Sequence, residues 1–160
     1  MISKRLVNSG GFVACAGLLA YAYYVQFVDG LDPCPLCIFQ RLAFIAMGVV
    51  FLLAALHNPA RTGSRVYALL LGIAGLAGTA IAGRHVWLQH LPPEEVPECG
   101  PGLDYMLEVF PLTDALRMAF TGSGECASVD WVFLGMSMPT WALLCFLGLT
   151  AVGVIRNWLP

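Results

Sequence analysis

Four long apolar segments dominate this chain and restrict its fold more than any other feature. The first, residues 6–28, is 23 residues long and contains no charged side chain. In a helix that rises 1.5 Å per residue, about 20 apolar residues cross the hydrocarbon core of a bilayer. This segment is longer than the apolar part of a usual signal peptide, and no clear small-residue cleavage site follows it. We therefore predict four membrane-spanning helices, at about residues 6–28, 38–56, 66–88 and 138–155.

The composition supports this interpretation. Hydrophobic residues make up 59% of the 160 residues and charged residues 11%, whereas an ordinary soluble domain carries about 25% charged residues. With only eight Lys and Arg residues and no basic patch, the chain offers no surface for nucleic acid. We predict an all-α integral membrane protein in which one domain, residues 1–160, forms a four-helix bundle.

The connecting segments predict the orientation of this bundle. Residues 29–37 and 89–137 form loops on one side, and all ten acidic residues fall in them. The other side, with both termini and the short loop near residues 57–65, carries five of the eight basic residues and no acid. By the positive-inside rule, both termini face the cytoplasm and the acidic loops face outward. Within the longer loop, an apolar pattern over residues 105–120, interrupted by Pro111, predicts one or two short helices lying on the membrane surface.

A C-x-x-C motif lies where the first outward loop enters the second span. Pro35 suits the first position of a helix, which places Cys34 at the cap and Cys37 in the first turn. The positive end of the helix dipole favours a thiolate there, the reactive form of cysteine. Arg41 follows Cys37 by four residues, on the same helix face. The motif by itself is equally typical of half a zinc site, and Arg41 could simply extend to the lipid head groups.

The remaining cysteines divide by position. Cys15 and Cys145 fall inside apolar spans, where cysteine usually acts as a small hydrophobic residue. Cys99 and Cys126 fall in the long outward loop, so this loop and the C-x-x-C motif each hold a pair on the oxidising side of the membrane. Disulfides are favoured over zinc, because 26 residues separate the second pair instead of two. Two disulfides in two loops suggest an electron relay, although a purely structural bridge in the long loop remains an alternative.

At several positions the sequence resembles the DsbB family, the disulfide bond formation proteins of the bacterial inner membrane. The similarity covers essentially the whole chain in the order of the family's elements. It includes Cys34-Pro-Leu-Cys37 followed by Arg41, Arg84-His85 at the end of the third span, the pair Cys99 and Cys126, and Trp131-Val-Phe-Leu-Gly135 followed by Met138-Pro-Thr-Trp141.

This resemblance implies a reaction and a role for each site residue. Redox-active disulfides Cys34–Cys37 and Cys99–Cys126 would pass electrons from the active-site thiols of a periplasmic, DsbA-like thioredoxin-fold protein to ubiquinone or menaquinone. Cys99 would form the mixed disulfide with the partner, and Cys126 would connect with Cys34. Arg41 and His85 would bind or polarise the quinone, and no metal is expected.

Three alternatives remain open at this point. A DsbI-type paralogue would use the same chemistry on a dedicated partner. A quinone reductase of the vitamin K epoxide reductase type would carry its C-x-x-C late in the bundle, whereas here the motif opens the second span. A non-enzymatic membrane protein would use the cysteines for structural disulfides or for zinc.

Overall fold

Four long helices make up most of the structure, a computed structural model that describes residues 3–92, 94–96, 109, 111, 113–114, 117 and 124–159. Each of the four is long and apolar enough to cross a membrane, which identifies a multi-pass membrane protein. The short surface helices predicted over residues 105–120 fall largely outside the described residues. The long helices are α1 (Lys4–Val28), α2 (Pro35–His57), α3 (Arg61–Gln89) and α4 (Met138–Trp158), and each contains one of the predicted spans.

Local sequence signals explain where these helices begin and end. Pro35 is the first residue of α2, and Cys34 caps it with extended backbone angles. Asn58 ends α2 in the left-handed conformation, which asparagine adopts more readily than most residues, and its N–H donates to the Ala54 carbonyl at 3.0 Å. Ser137 caps α4, and Pro139 lies in its first turn. The cap position predicted for Cys34 is therefore confirmed.

The helices pack as a bundle in which each contacts its neighbour in the sequence and α4 closes against α3. Small residues on α3 allow this close approach. A side chain at Gly78 would collide with the Phe146 ring of α4. The same ring stacks on Phe44 of α2, with 3.8 Å between ring centroids. By contrast, α1 and α4 share few contacts, so a seam remains between them.

A polar cluster ties three helices together at the end of the bundle where α1 begins. Asn8 and Asn157 exchange two side-chain amide hydrogen bonds, of 3.1 and 2.8 Å, and each is 1% exposed. The Ser64 hydroxyl donates to the Asn157 amide oxygen at 3.4 Å. Asn157 also donates to the Gly153 carbonyl at 2.9 Å. This amide cluster connects α1, α3 and α4 and was not predicted from the sequence.

At the other end of the bundle, a small β-hairpin precedes α4. Strand β1 (Val132–Phe133) pairs antiparallel with β2 (Met136–Ser137). Leu134 and Gly135 form its two-residue turn with positive φ angles of 51° and 78°. Such a turn matches the twist of paired strands, although leucine is an unusual residue in it. The predicted fold is all-α, so this two-stranded ribbon is a minor departure from it.

Candidate active site

The C-x-x-C motif forms a close dithiol at the beginning of α2. The Cys34 and Cys37 sulfurs lie 3.3 Å apart, well beyond the roughly 2.05 Å of a disulfide bond. Cys34 is buried and Cys37 is half-buried. The Ile38 N–H donates to the Cys34 carbonyl at 3.2 Å, so the first turn of α2 directly supports the motif. Both thiols therefore lie at the positive end of a helix dipole, where thiolates are favoured.

His85 of α3 lies beside this dithiol. Its imidazole is 2% exposed, and its Nε2 atom is 3.7 Å from the Cys34 sulfur. The Nδ1 atom lies 2.9 Å from the Gln40 side-chain nitrogen. With that nitrogen donating, Nδ1 is an acceptor, and a neutral His85 carries its proton on Nε2, facing Cys34. His85 can thus donate to a sulfur or to another acceptor at the site.

Gln40 is the site residue that the sequence analysis missed. It is 6% exposed and lies in α2, three residues after Cys37. A signal for it was available, because an amide in an apolar membrane span requires a hydrogen-bond partner. The identity of that partner depends on the packing of α2 against α3, which local sequence does not reveal.

A third cysteine reaches the same place from the long loop. Cys126 lies in a short 3₁₀ helix, Gly124–Cys126, and is fully buried. It packs in one cluster with Cys34, Leu36 and Leu88. The loop is held there partly by Gln89, whose side chain donates to the Ser128 carbonyl at 3.3 Å.

Three of the four cysteines predicted as redox-active therefore share one end of the bundle. The fourth, Cys99, lies outside the described residues. Its pairing with Cys126 remains a prediction.

Arg41 lies one turn beyond Cys37, but both hydrogen bonds found for it lead to α1. Its guanidinium donates to the Gln26 side-chain oxygen and, at 3.1 Å, to the Ala22 carbonyl. It also lies over the Tyr23 ring, 4.9 Å from the ring centroid. These contacts hold the charge at the wall of a cavity near the dithiol. The contact of Arg41 with a quinone remains a prediction.

That cavity occupies the seam between α1 and α4 and has a volume of about 580 Å³. Its walls are mainly apolar, and Cys34, Cys37 and His85 border it at one end. Cys145, expected to be an inert packing residue, also lines it, whereas Cys15 is buried in the core. A mostly apolar cavity with a few convergent polar groups is typical of a small-molecule site.

Comparisons with known proteins identify the family of this chain. The family model "Disulfide bond formation protein DsbB" matches residues 4–155. "Disulfide bond formation protein B" from Methylococcus capsulatus is 60% identical over 148 residues, covering 92% of this chain and 90% of the relative. The proteins of the same name from Hahella chejuensis and Nitrosococcus oceani are 57% and 56% identical over 151 and 157 residues. They cover 94% and 98% of this chain, and 92% and 91% of the relatives. The chain therefore belongs to the DsbB family of disulfide bond formation proteins.

Proposed function

We propose that this protein oxidises the active-site thiols of a DsbA-like periplasmic protein and transfers the electrons to membrane quinone. The observation that carries this proposal is the grouping of Cys34, Cys37 and Cys126 with His85 at the edge of an apolar cavity. A structural disulfide would need neither the cavity nor a histidine beside its sulfurs. Thiol–disulfide exchange followed by electron transfer to an apolar acceptor would use both.

The cysteines carry out the exchange steps in this proposal. A partner thiolate attacks the Cys99–Cys126 disulfide, and Cys99 forms the mixed disulfide. The second partner thiol then releases the oxidised partner and leaves Cys99 and Cys126 reduced. Cys126, packed in the same cluster as Cys34, attacks the Cys34–Cys37 disulfide at Cys34, so that Cys37 is released as the thiolate. The Cys99 thiolate then attacks Cys126 and breaks its bond to Cys34, which restores the Cys99–Cys126 disulfide and leaves the electron pair on Cys34 and Cys37.

The polar side chains at the cavity assist the final step. Gln40 fixes the ring of His85 and directs its Nε2–H towards the cysteines and the cavity. From this position His85 can supply a proton to an oxygen that gains negative charge. The Arg41 guanidinium, held at the cavity wall by α1, favours negative charge in the same region.

The cavity fits a quinone head group in size and chemistry. Its volume of about 580 Å³ lies within the range that is typical of small-molecule pockets. Its place in the seam between α1 and α4 gives an apolar molecule a path from the bilayer. When bound, a ubiquinone or menaquinone supplies a two-electron acceptor that stays in the membrane. Cys37, Arg41 and His85 are the residues that would contact its ring.

The energetics explain why such an acceptor is needed. The reduction potential established for DsbA itself is about −120 mV, whereas ordinary structural disulfides lie below about −300 mV. At about 1.4 kcal/mol per 30 mV for two electrons, a relaxed disulfide would oxidise such a partner with an unfavourable free energy of about 8 kcal/mol. Transfer of the electrons from Cys34 and Cys37 to quinone offsets this unfavourable free energy and drives the exchange steps towards oxidation of the partner.

The experiment that tests this function measures partner oxidation and quinone reduction in parallel. The purified full-length protein, a reduced DsbA-like protein and a soluble ubiquinone analogue should yield one quinol for each partner disulfide formed. Cys37→Ser should abolish quinol formation, while Cys15→Ala should preserve it. Partner oxidation without quinol formation would contradict the proposal. Turnover with only one dedicated partner, and none with a general DsbA-like protein, would indicate the DsbI-type function.

The same proposal places the cysteine end of the bundle in the periplasm. Cys126 is fully buried and would report orientation poorly, so exposed positions at the two ends serve better. In a chain whose native cysteines are replaced, a membrane-impermeant maleimide applied to intact spheroplasts should label Glu95→Cys and leave Thr62→Cys unlabelled. Lysed membranes should label both. The reverse pattern in spheroplasts would contradict the orientation.

A further inference from the structure

The cluster of Cys34, Cys37 and His85 has the composition of a metal site as well as of a redox site. One sulfur from each cysteine and one imidazole nitrogen all lie within 4.8 Å of one another. We infer that, in its reduced state, this cluster binds Zn²⁺ with Cys34, Cys37 and His85 as ligands and a fourth position open to the cavity. This goes beyond the proposed function, since it adds a ligand that competes with disulfide formation at the same sulfurs.

Two of the three ligand separations are close to those that tetrahedral zinc requires, and the third, between the Cys37 sulfur and the His85 ring, is at most 4.8 Å. With Zn–S bonds of about 2.3 Å, two sulfurs on one ion lie about 3.7 Å apart. The Cys34 and Cys37 sulfurs are 3.3 Å apart, so they need to separate by only a few tenths of an ångström. With a Zn–N bond of about 2.0 Å, the expected sulfur–nitrogen separation is about 3.5 Å. The Cys34 sulfur and the His85 Nε2 atom are 3.7 Å apart.

In the sequence, disulfides are favoured over zinc because the second cysteine pair is not a compact C-x-x-C. The structure supplies the third ligand from a different element, the histidine of α3. Two cysteines and one histidine, with a fourth position left open, form an established ligand set for zinc in enzymes. The adjoining cavity leaves room beside the sulfurs for the fourth ligand, a water molecule.

Gln40 completes the arrangement. A histidine that binds zinc through Nε2 carries its proton on Nδ1, and this proton requires an acceptor. The Gln40 amide lies 2.9 Å from Nδ1. Rotation of the amide by half a turn presents its oxygen and satisfies that proton, so one side chain supports His85 in both states.

Zinc binding also has a direct chemical consequence. Two thiols lose their protons when the ion binds, and both sulfurs then serve as metal-bound thiolates. A sulfur held in this way cannot form the Cys34–Cys37 disulfide. Zinc would therefore hold the site in its reduced state until the ion leaves.

The test titrates the phosphine-reduced, full-length protein in detergent with Co²⁺, an optical probe for tetrahedral sites, and then displaces it with Zn²⁺. We expect one ion per chain, with visible ligand-field bands and a thiolate-to-cobalt charge-transfer band. His85→Ala should weaken binding at least 100-fold, and Gln40→Leu about 10- to 100-fold. Gln40→Glu, which offers a carboxylate to Nδ1–H, should bind at least as tightly as the native chain.

Two further variants test which residues bind the ion. Cys99→Ala combined with Cys126→Ala should retain the site, and His85→Cys should restore binding even if His85→Ala folds poorly. Full binding in His85→Ala, or its loss in Cys99→Ala/Cys126→Ala, would overturn the assignment. Because the titration uses neither quinone nor partner, its failure would leave the proposed electron transfer untouched.

Discussion

The two ends of this helix bundle both bury polar side chains, but they satisfy them in different ways. At the end where α1 begins, Asn8 and Asn157 hydrogen-bond reciprocally, and Ser64 adds a third contact. At the cysteine end, His85 and Gln40 hydrogen-bond to each other, and the free face of His85 points towards Cys34 beside a cavity. A polar group that is fully paired within the protein stabilises a packing arrangement. One that keeps a face towards a cavity remains available for chemistry.

This difference separates structural from functional effects of substitution. Changes at the amide cluster should lower the free energy of unfolding and leave the activity of folded molecules intact. Changes at the cysteine end should lower the activity of folded molecules and leave the free energy of unfolding nearly unchanged.

Arg41 belongs to the cysteine end, although its hydrogen bonds lead to α1. We expect Arg41→Ala to reduce kcat/KM for quinone about 100-fold, because a preorganised positive charge near the acceptor is lost. Arg41→Lys keeps the charge but not the planar fork, so we expect mainly a raised KM. Steady-state quinol formation measures this effect. The rate of single-turnover mixed-disulfide formation with the partner is measured in parallel and should remain unchanged.

Gln26→Ala is the matched control for Arg41. It removes a hydrogen-bond partner of the guanidinium and keeps the charge at the cavity. We expect at most a threefold change in quinone kinetics. A loss equal to that of Arg41→Ala, or an equally slow mixed-disulfide step in Arg41→Ala, would show that Arg41 acts by holding α1 in place.

Asn157 tests the opposite end. Asn157→Ala leaves the Asn8 amide buried without its partner, which should lower the free energy of unfolding by about 1–2 kcal/mol. The quinone turnover of folded molecules should stay within about twofold of the native value. Reversible unfolding in mixed micelles gives the stability. The Asn8→Ala/Asn157→Ala double variant should cost less than the sum of the single changes, and additive losses would contradict a coupled pair.

Cys15 and Cys145 should show the smallest effects on activity. Cys15 is 1% exposed within the core, so Cys15→Ala should cost about 1–2 kcal/mol through lost packing and no activity. Cys145 lines the cavity, so Cys145→Ala should change the KM for quinone slightly, without affecting partner oxidation. Thermal unfolding and quinol formation measure the two quantities. A loss of turnover like that of Cys37→Ser would contradict both assignments.

Much of this architecture follows from local sequence. Apolar runs of about 20 residues predicted the four helices, and Pro35 predicted the helix start that places Cys34 at the cap. These features depend on composition and on backbone chemistry within a few residues. The grouping of Cys34, Cys37, His85 and Cys126 came from family resemblance and could not be derived from spacing, since it depends on how α2, α3 and the returning loop pack.

The residues that sequence analysis missed share a physical reason. Gln40 and Asn8 are polar residues in predicted apolar spans, so their need for partners was visible but the partners were not, and Asn157 lies just beyond the predicted end of the fourth span. Asn8 and Asn157 are 149 residues apart in the chain and meet only after α1 and α4 pack. The β-hairpin was not predicted, because its turn has Leu134 at a position where asparagine or glycine is usual.

The central claim is that the cysteine end of the bundle passes electrons to quinone through Cys34 and Cys37. The most direct test traps the redox state of this pair in native membranes by acid quenching and alkylation with a mass-tagged maleimide. In quinone-depleted membranes supplied with reduced partner, Cys34 and Cys37 should accumulate as thiols, and a soluble quinone should reoxidise them within the turnover time. If partner oxidation continues while the redox state of Cys34 and Cys37 is the same with and without quinone, the central claim is wrong.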